Sequence, residues 1–168
     1  MTGRLAGLLD GRRPPGVYRW RSRSHPSALR RELARIGWGG YPLPGYEVTD
    51  GGRFLDACAA ALAFPTWFGH SWTALGACLA DLTWLPGEGH VVLWERYGSL
   101  ADADGTAWRR AYEILVRASA ERVRDGAPPL YVLLRGPGPD RSPVDEEPIP
   151  ILPAALVSPD PAPPAGLS

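Results

Sequence analysis

Residues 64–82 have the sequence FPTWFGHSWTALGACLADL, which combines a break in the chain with the start of a helix. Pro65 and Gly69 interrupt regular structure, and Ser71 is a residue type that caps helix amino termini. After Ser71 the apolar residues recur at the spacing of a helix face that packs on a core. We therefore predict a helix that ends near Leu82. Its buried stripe is Trp72, Leu75, Cys78, Leu79 and Leu82, and a second stripe that can face outward is Thr73, Ala77 and Asp81.

Strand patterns lie on both sides of this segment. Residues 90–95 (HVVLWE) and 130–135 (LYVLLR) are continuous apolar runs, as found in strands covered on both faces. Residues 17–20 are a short strand candidate, and residues 41–43 are a proline-marked extended segment near a sheet edge. Helices are predicted to begin at Ser24, Asp50 and Asp104. Strands separated by helices predict an α/β fold with a small parallel sheet covered by helices.

The helix after Asp104 is predicted to extend to about Arg124, with one face in the core and one in solvent. The outward residues are Arg109, Glu113, Arg117 and Glu121. The inward residues are Trp108, Ala111, Tyr112, Leu115, Ala118, Ser119 and Val123.

Composition divides the 168 residues into a folded part and two ends. All 16 aromatic residues lie between Tyr18 and Tyr131, whereas 12 of the 19 prolines follow Ala127. We predict a flexible segment at residues 1–15, a single domain at residues 16–136, and a disordered, Pro-rich acidic tail at residues 137–168, because such a tail buries too little apolar surface to offset its ordering entropy. An alternative for residues 149–152 is an extended clip that docks on the domain through Ile149, Ile151 and Leu152.

The charges balance at 18 basic and 18 acidic residues, and every basic residue is arginine. A balanced total argues against general nucleic-acid binding, which needs a surplus of cations. Residues 1–35 nevertheless hold nine arginines against two acids. The sequence contains no run of about 18 apolar residues, so no membrane span is predicted. The amino-terminal arginines are not followed by the apolar stretch that a signal peptide would have. Neither the two cysteines nor the three histidines have the spacing of a metal site, so no metal or cofactor is predicted.

Residues 64–82 resemble the signature segment of the barstar family, which are small intracellular inhibitors of secreted ribonucleases of the barnase type. The similarity continues through residues 91–94, the long helix and residues 130–134, and residues 16–39 look like a βα extension seen in longer members. The resemblance implies a barstar-like fold and inhibition by blockade. The aromatic loop and the next helix enter the cationic cleft of the nuclease, where carboxylates stand in for phosphates.

The resemblance places the partner-binding surface on nine residues: Trp67, Phe68, Gly69, His70, Ser71, Thr73, Ala77, Asp81 and Glu121. Thr73 and Ala77 occupy the positions of the inhibitory aspartates in the best-known members, and Ser71 a position that is often asparagine. Asp81 and Glu121 are the carboxylates that remain near these positions. Gly69 is predicted to form the turn itself, because glycine adopts a positive φ at little cost.

These residues also have purely structural interpretations. Trp67 and Phe68 can fill the helix junction, Asp81 can be a solvated helix-end residue, and Glu121 can pair with Arg117 at helical spacing. A hydrolase, suggested by the sequence GHSWT at residues 69–73, is disfavoured because the motif ends in Thr and follows no strand. An RNA-binding patch of Arg19, Arg21, Arg23, Arg30 and Arg31 with Tyr18 and Trp20 competes with a solvated face, which we favour, and with a contact surface for an acidic protein.

We therefore predict a non-enzymatic, barstar-like cytoplasmic protein, monomeric as the family implies, that binds and blocks a microbial ribonuclease or ribonuclease-like toxin. The alternative is a protein-binding module of the same fold that has lost nuclease inhibition, because Thr73 and Ala77 replace the inhibitory aspartates, and that binds another partner.

Overall fold

A computed structural model describes residues 13–152 of the chain. The predictions made for residues 1–12 and 153–168 lie outside the described residues. The elements, in chain order, are β1 (Val17–Trp20), α1 (Pro26–Ala34), β2 (Gly39–Pro44), α2 (Gly51–Ala61), α3 (Trp72–Asp81), β3 (His90–Glu95), α4 (Gly98–Ala103), α5 (Gly105–Arg124), β4 (Leu130–Arg135) and β5 (Ile151–Leu152).

The strands form one five-stranded sheet in the order β2-β3-β4-β1-β5, and all neighbouring strands are parallel. At its centre, β3 and β4 pair along their whole length, from His90 opposite Leu130 to Glu95 opposite Arg135. The proline-containing strand β2 lies at an edge, as predicted, because proline cannot donate to a second neighbour. The predicted α/β fold with a helix-covered parallel sheet is therefore confirmed.

The sheet has a separate apolar core on each face. Along β3, Val92 and Trp94 pack into the core shared with α2, α3 and α5, whereas Val91 and Leu93 pack into the core shared with α1. This alternation is the two-residue period of a strand covered on both sides. The sheet consequently separates α1 from α3, which together with the loop before it carries eight of the nine residues of the predicted binding surface.

Two of the three predicted helix starts are confirmed by their capping bonds. Asp50 accepts from the Arg53 N–H at 2.8 Å and Asp104 from the Ala107 N–H at 3.1 Å. The third prediction, Ser24 as the cap of α1, is wrong by one residue. His25 is the cap and accepts from the Ser27 N–H at 3.1 Å, because Pro26 already occupies the first helical turn.

The prediction of disorder from residue 137 onward is wrong for residues 137–152. Ile149 and Leu152 are buried, and β5 extends the sheet beside β1. The Arg19 N–H donates to the Pro150 carbonyl at 2.8 Å. The docked-clip alternative is correct, because two apolar side chains and strand pairing offset the ordering entropy of a segment whose average composition is poor in apolar residues.

None of the helices between residues 13 and 152 has the length and apolarity that a membrane crossing requires.

Candidate functional site

The loop between α2 and α3 contains two aromatic residues that were predicted to contact a partner, Trp67 and Phe68, and these lie in different environments. Phe68 packs edge-on against Phe64, with ring centroids 4.9 Å apart, and Phe64 packs against Trp84 at 5.9 Å. The Trp84 Nε1 donates to the Leu62 carbonyl at 2.9 Å, which fixes this aromatic cluster to the end of α2. Trp67 touches Trp84 only edge-on, at 6.4 Å, and its side chain is 60% exposed. Phe68 therefore fills the junction, whereas Trp67 projects into solvent.

The turn into α3 uses a different residue from the predicted one. His70, not Gly69, has the left-handed backbone, with φ of 54°. The His70 Nε2 lies 2.6 Å from the Asp56 Oδ1 on α2, and this pairing stabilises a conformation that costs a non-glycine residue some free energy. The prediction of a positive φ at Gly69 is wrong. The turn places the left-handed residue one position later, at His70, where the contact with Asp56 stabilises it.

Helix α3 begins at Ser71, as predicted, and the Ser71 Oγ accepts from the Ala74 N–H at 3.0 Å. The predicted core residues of this helix are buried, apart from Trp72, which is half-buried against Phe54 with centroids 6.0 Å apart. The second stripe, Thr73, Ala77 and Asp81, is exposed. The outer side of α3 therefore presents a hydroxyl, a methyl and, only in its last turn, a carboxylate.

Sequence reasoning missed Arg122, which organises the carboxyl end of α3. The Arg122 side chain is 1% exposed, and its guanidinium donates to the carbonyls of Leu79, Ala80 and Asp81 at 3.0–3.2 Å and of Pro128 at 2.8 Å. Burial lowers the pKa of Arg122, and the nearby Asp81 opposes this shift.

The misassignment of Arg122 follows from its residue type. Val123, predicted to face inward, is 54% exposed, and Arg122 takes the inward position instead. The helical period did point to it, because residue 122 lies three and four positions after the buried Ser119 and Ala118. Residue type alone misled the prediction, since arginine is rarely fully buried without partners.

A groove of about 440 Å³ runs between α3 and α5. On the α3 side, Trp72 provides the one large side chain, and the other lining residues, among them Thr73 and Ala77, are small and carry no carboxylate. On the α5 side, Arg117 pairs with Glu113 at 3.2 Å and not with Glu121, so the predicted Glu121–Arg117 pair is wrong. The residues that line the groove are Trp72, Thr73, Gly76, Ala77, Ala80, Arg110, Glu113, Ile114, Arg117, Ala118 and Glu121.

The structure thus brings together part of the predicted site. Thr73, Ala77 and Glu121 line one groove, and the aromatic loop continues directly into the same helix through Ser71. Asp81 lies at the far end of α3 and is not among the residues that line the groove. The arrangement is an exposed surface with one projecting aromatic ring, a groove and isolated charges.

The residues with nucleophilic character are engaged otherwise. The Ser71 Oγ caps a helix, Cys58 and Cys78 are buried, and burial raises the pKa of both thiols. Asp81 raises the pKa of Cys78 further. Within residues 13–152, no three His, Cys, Asp or Glu side chains are grouped as a metal ion would need.

A five-stranded parallel sheet covered by helices on both faces defines the class of small α/β domains. Within this class, the chain belongs to the barstar family, since residues 42–135 match the family model described as Barstar (barnase inhibitor). No curated protein matches the chain.

Among solved structures, the chain is similar to the ORC2 protein of Aeropyrum pernix in its ADPNP-ADP complexes. The two are 11% identical with a TM-score of 0.55, over 82% of this chain and 39% of that one, so this chain corresponds to only about two fifths of its length. A likeness at this identity concerns the fold alone.

Proposed function

We propose that the protein is a non-enzymatic inhibitor that binds and blocks a ribonuclease or a ribonuclease-like toxin. The observation that carries the proposal is the position of the exposed Trp67 in the loop that leads into α3, inside the segment that matches the inhibitor family. The proposed surface is this loop, the outer side of α3 and the groove beside α5.

The chemistry of this surface suits a cationic cleft, although less strongly than two aspartates on α3 would. Trp67 is the kind of large, rigid side chain that serves as a binding hot spot when a partner covers it. Asp81 on α3 and Glu121 in the groove provide carboxylates for arginine or lysine side chains of a nuclease. The contact is therefore expected to depend more on the aromatic loop and less on charge.

A second candidate function is supported by Thr73 and Ala77. Both side chains are exposed on the outer side of α3, where carboxylates could be held without any rearrangement of the core. Loss of a hot-spot carboxylate can cost several kcal/mol in a charge-driven interface. Their replacement by a hydroxyl and a methyl favours a binding module of the same fold that recognises a target other than a basic nuclease.

Calorimetric titration against a panel of barnase-type ribonucleases tests both candidates. The unaltered protein is compared with Thr73→Asp/Ala77→Asp, with Trp67→Ala, and with Tyr46→Ala, a control that removes another largely exposed aromatic side chain outside the proposed surface. Binding by the unaltered protein that Trp67→Ala weakens at least tenfold and Tyr46→Ala does not supports the inhibitor proposal.

Two other results discriminate between the candidates. Binding only by the double aspartate variant supports the second candidate, because it shows a competent scaffold that lacks its charges. Binding by the unaltered protein that Trp67→Ala leaves unchanged contradicts the proposed surface. If neither the unaltered protein nor the double aspartate variant binds any of the ribonucleases, the proposed inhibition of this nuclease class is contradicted.

A further inference from the structure

The balanced total charge conceals an uneven distribution between the two faces of the sheet. Residues 13–41, which contain β1, α1 and the first half of β2, include seven arginines and a single carboxylate, Glu32. Glu32 is already paired with Arg35 at 3.2 Å. Arg19 belongs to the other face of the sheet, because its side chain hydrogen-bonds Tyr97. Residues 21–35, which contain α1, still hold five arginines against Glu32, so the layer formed by α1 is cationic, and the sheet separates α1 from the groove beside α3.

A cleft of about 470 Å³ lies in this cationic layer, between α1 and the edge strand β2. This volume falls in the range of small-molecule sites, roughly 300–1,000 Å³. Among residues 13–152, no acidic side chain lines the cleft. Its lining residues are Ser27, Arg30, Arg31, Ala34, Trp38, Gly39, Gly40 and Tyr41.

The two arginines of the cleft have no acidic partner among residues 13–152. The side chains of Arg30 and Arg31 are exposed and, in this part of the chain, make no hydrogen bond or ion pair. By contrast, Arg135 binds Glu95 through two contacts, at 2.6 and 3.0 Å. Arg30 lies near Tyr41, where its charge opposes the rise that burial causes in the pKa of the phenol. Two adjacent, uncompensated guanidinium groups in a concave site are suited to an anion, which they can hold in bidentate fashion.

The rest of the cleft contributes aromatic and backbone surface. The half-buried Trp38 ring packs against Gly89, where a Cβ would lie 2.3 Å from it, and faces the Tyr131 ring at 5.9 Å. A Cβ on Gly40 would lie 3.1 Å from the Arg30 side chain, so the absence of a side chain at Gly40 keeps the space between β2 and α1 open. A ligand with a planar group and a negative charge can thus place the planar group against the edge of the Trp38 indole and the glycine backbone, and its charge against the two arginines.

We propose that this cleft binds one nucleotide unit, with the phosphate on Arg30 and Arg31 and the base against Trp38. Arginine beside an aromatic residue is a combination that recognises single-stranded nucleic acid, and here the face of a base can meet the accessible edge of the indole in an edge-to-face contact. A free nucleotide and a single-stranded RNA both carry this chemistry. The RNA would gain further contacts from the exposed Arg21 and Arg23 just before α1, which also lack hydrogen-bond and ion-pair partners in the described residues.

Fluorescence anisotropy with a fluorescein-labelled octauridylate tests the proposal, using the full chain at low and moderate salt. We expect the affinity to fall as salt rises, with a slope that decreases by about 0.7 for each phosphate contact removed. Arg30→Gln and Arg31→Gln should each weaken binding at least fivefold. Arg124→Gln, an equal loss of charge at an exposed position on α5, should not.

The contribution of the ring is tested with Trp38→Leu, which should weaken binding about two- to tenfold by loss of the edge-to-face contact. Trp38 is half-buried, so thermal unfolding is measured for every variant, and the two arginine variants decide the proposal if Trp38→Leu unfolds. Uridine 5′-monophosphate that displaces the octauridylate at millimolar concentration confirms the mononucleotide site. If it does not compete, contacts along the strand dominate and the single-unit proposal is wrong.

Three results overturn the proposal outright. These are no binding at 50 mM salt, equal binding by the arginine variants and Arg124→Gln, and tighter binding of a labelled oligoglutamate peptide than of the octauridylate. The last result would make the cleft a contact site for an acidic protein. None of these outcomes bears on the ribonuclease titrations, because the two sites lie on opposite faces of the sheet.

Discussion

Methionine in place of Arg122 is expected to lower the free energy of unfolding by about 3 kcal/mol. Methionine has a similar length but no donor, so four hydrogen bonds to carbonyls are lost. Water can replace the donor at exposed Asp81 and Pro128, whereas the bond to the Leu79 carbonyl is buried and the bond to Ala80 is partly buried. An orphaned buried acceptor costs about 1–3 kcal/mol and a hydrogen bond from a charged group contributes about 1.5–3 kcal/mol, and we expect their loss to exceed the gain from no longer burying a charge.

Urea and thermal unfolding measure this loss directly. For a domain of this size, 3 kcal/mol corresponds to a fall in Tm of about 6–12 °C. Arg124→Met is the control, because Arg124 is exposed two residues further along α5 and its replacement should change stability by less than about 0.5 kcal/mol. If Arg122→Met lies within 1 kcal/mol of Arg124→Met, the bonds to the end of α3 add nothing net, and the reasoning on Arg122 is wrong.

Three further measurements address other parts of the chain. Burial, aided by the charge of Arg122, lowers the pKa of His90 to about 4, so the unfolded chain takes up this proton first, near pH 6.5. The contribution of neutral His90 to the free energy of unfolding should be fully present above pH 6.5, and this free energy should fall by roughly 3 kcal/mol between pH 6.5 and pH 4. Urea titrations across this range should show a smaller fall for His90→Leu. Leu152→Ser should lower stability by about 2–4 kcal/mol, because it places a hydroxyl in a fully buried site, whereas Ile151→Ser, at a 40% exposed position of the same strand, should change it by under 1 kcal/mol; equal losses would contradict the docking of β5. Neither thiol should react with a disulfide reagent in the native protein and both should react in urea, because Cys58 and Cys78 are buried; rapid native labelling would refute this.

Residue patterning was sufficient to predict the layers of the fold. The continuous apolar runs of β3 and β4 can only belong to strands buried on both faces, and the periodic helices between them require parallel connections. Pattern reasoning was weaker where an ordered segment has little apolar surface. The docking of residues 149–152 was predicted only as an alternative, because two residues, Ile149 and Leu152, provide nearly all of the buried apolar surface in this proline-rich stretch.

The candidate site was predicted as a set of positions but not as a geometry. Ser71 and the outward stripe of α3 followed from local rules of capping and helical period. The contact of His70 with Asp56 and the bonds from Arg122 to the end of α3 could not be predicted, because each joins residues that are 14 or more positions apart. Local sequence carries no signal for such pairs until the packing of the helices is known.

The way in which α3 is held separates stability from specificity at the proposed surface. Ser71 caps its amino end and Arg122 binds its carboxyl end, while the core side of the helix is buried. None of these interactions involves Thr73 or Ala77, which face the groove and solvent. Substitutions at exposed positions of this kind usually change stability by less than about 0.5 kcal/mol, whereas a single hot-spot carboxylate can change binding by several kcal/mol. The fold can therefore keep the helix in place while Thr73 and Ala77 change freely, so the proposed surface can lose or gain carboxylates at these two positions without loss of the fold.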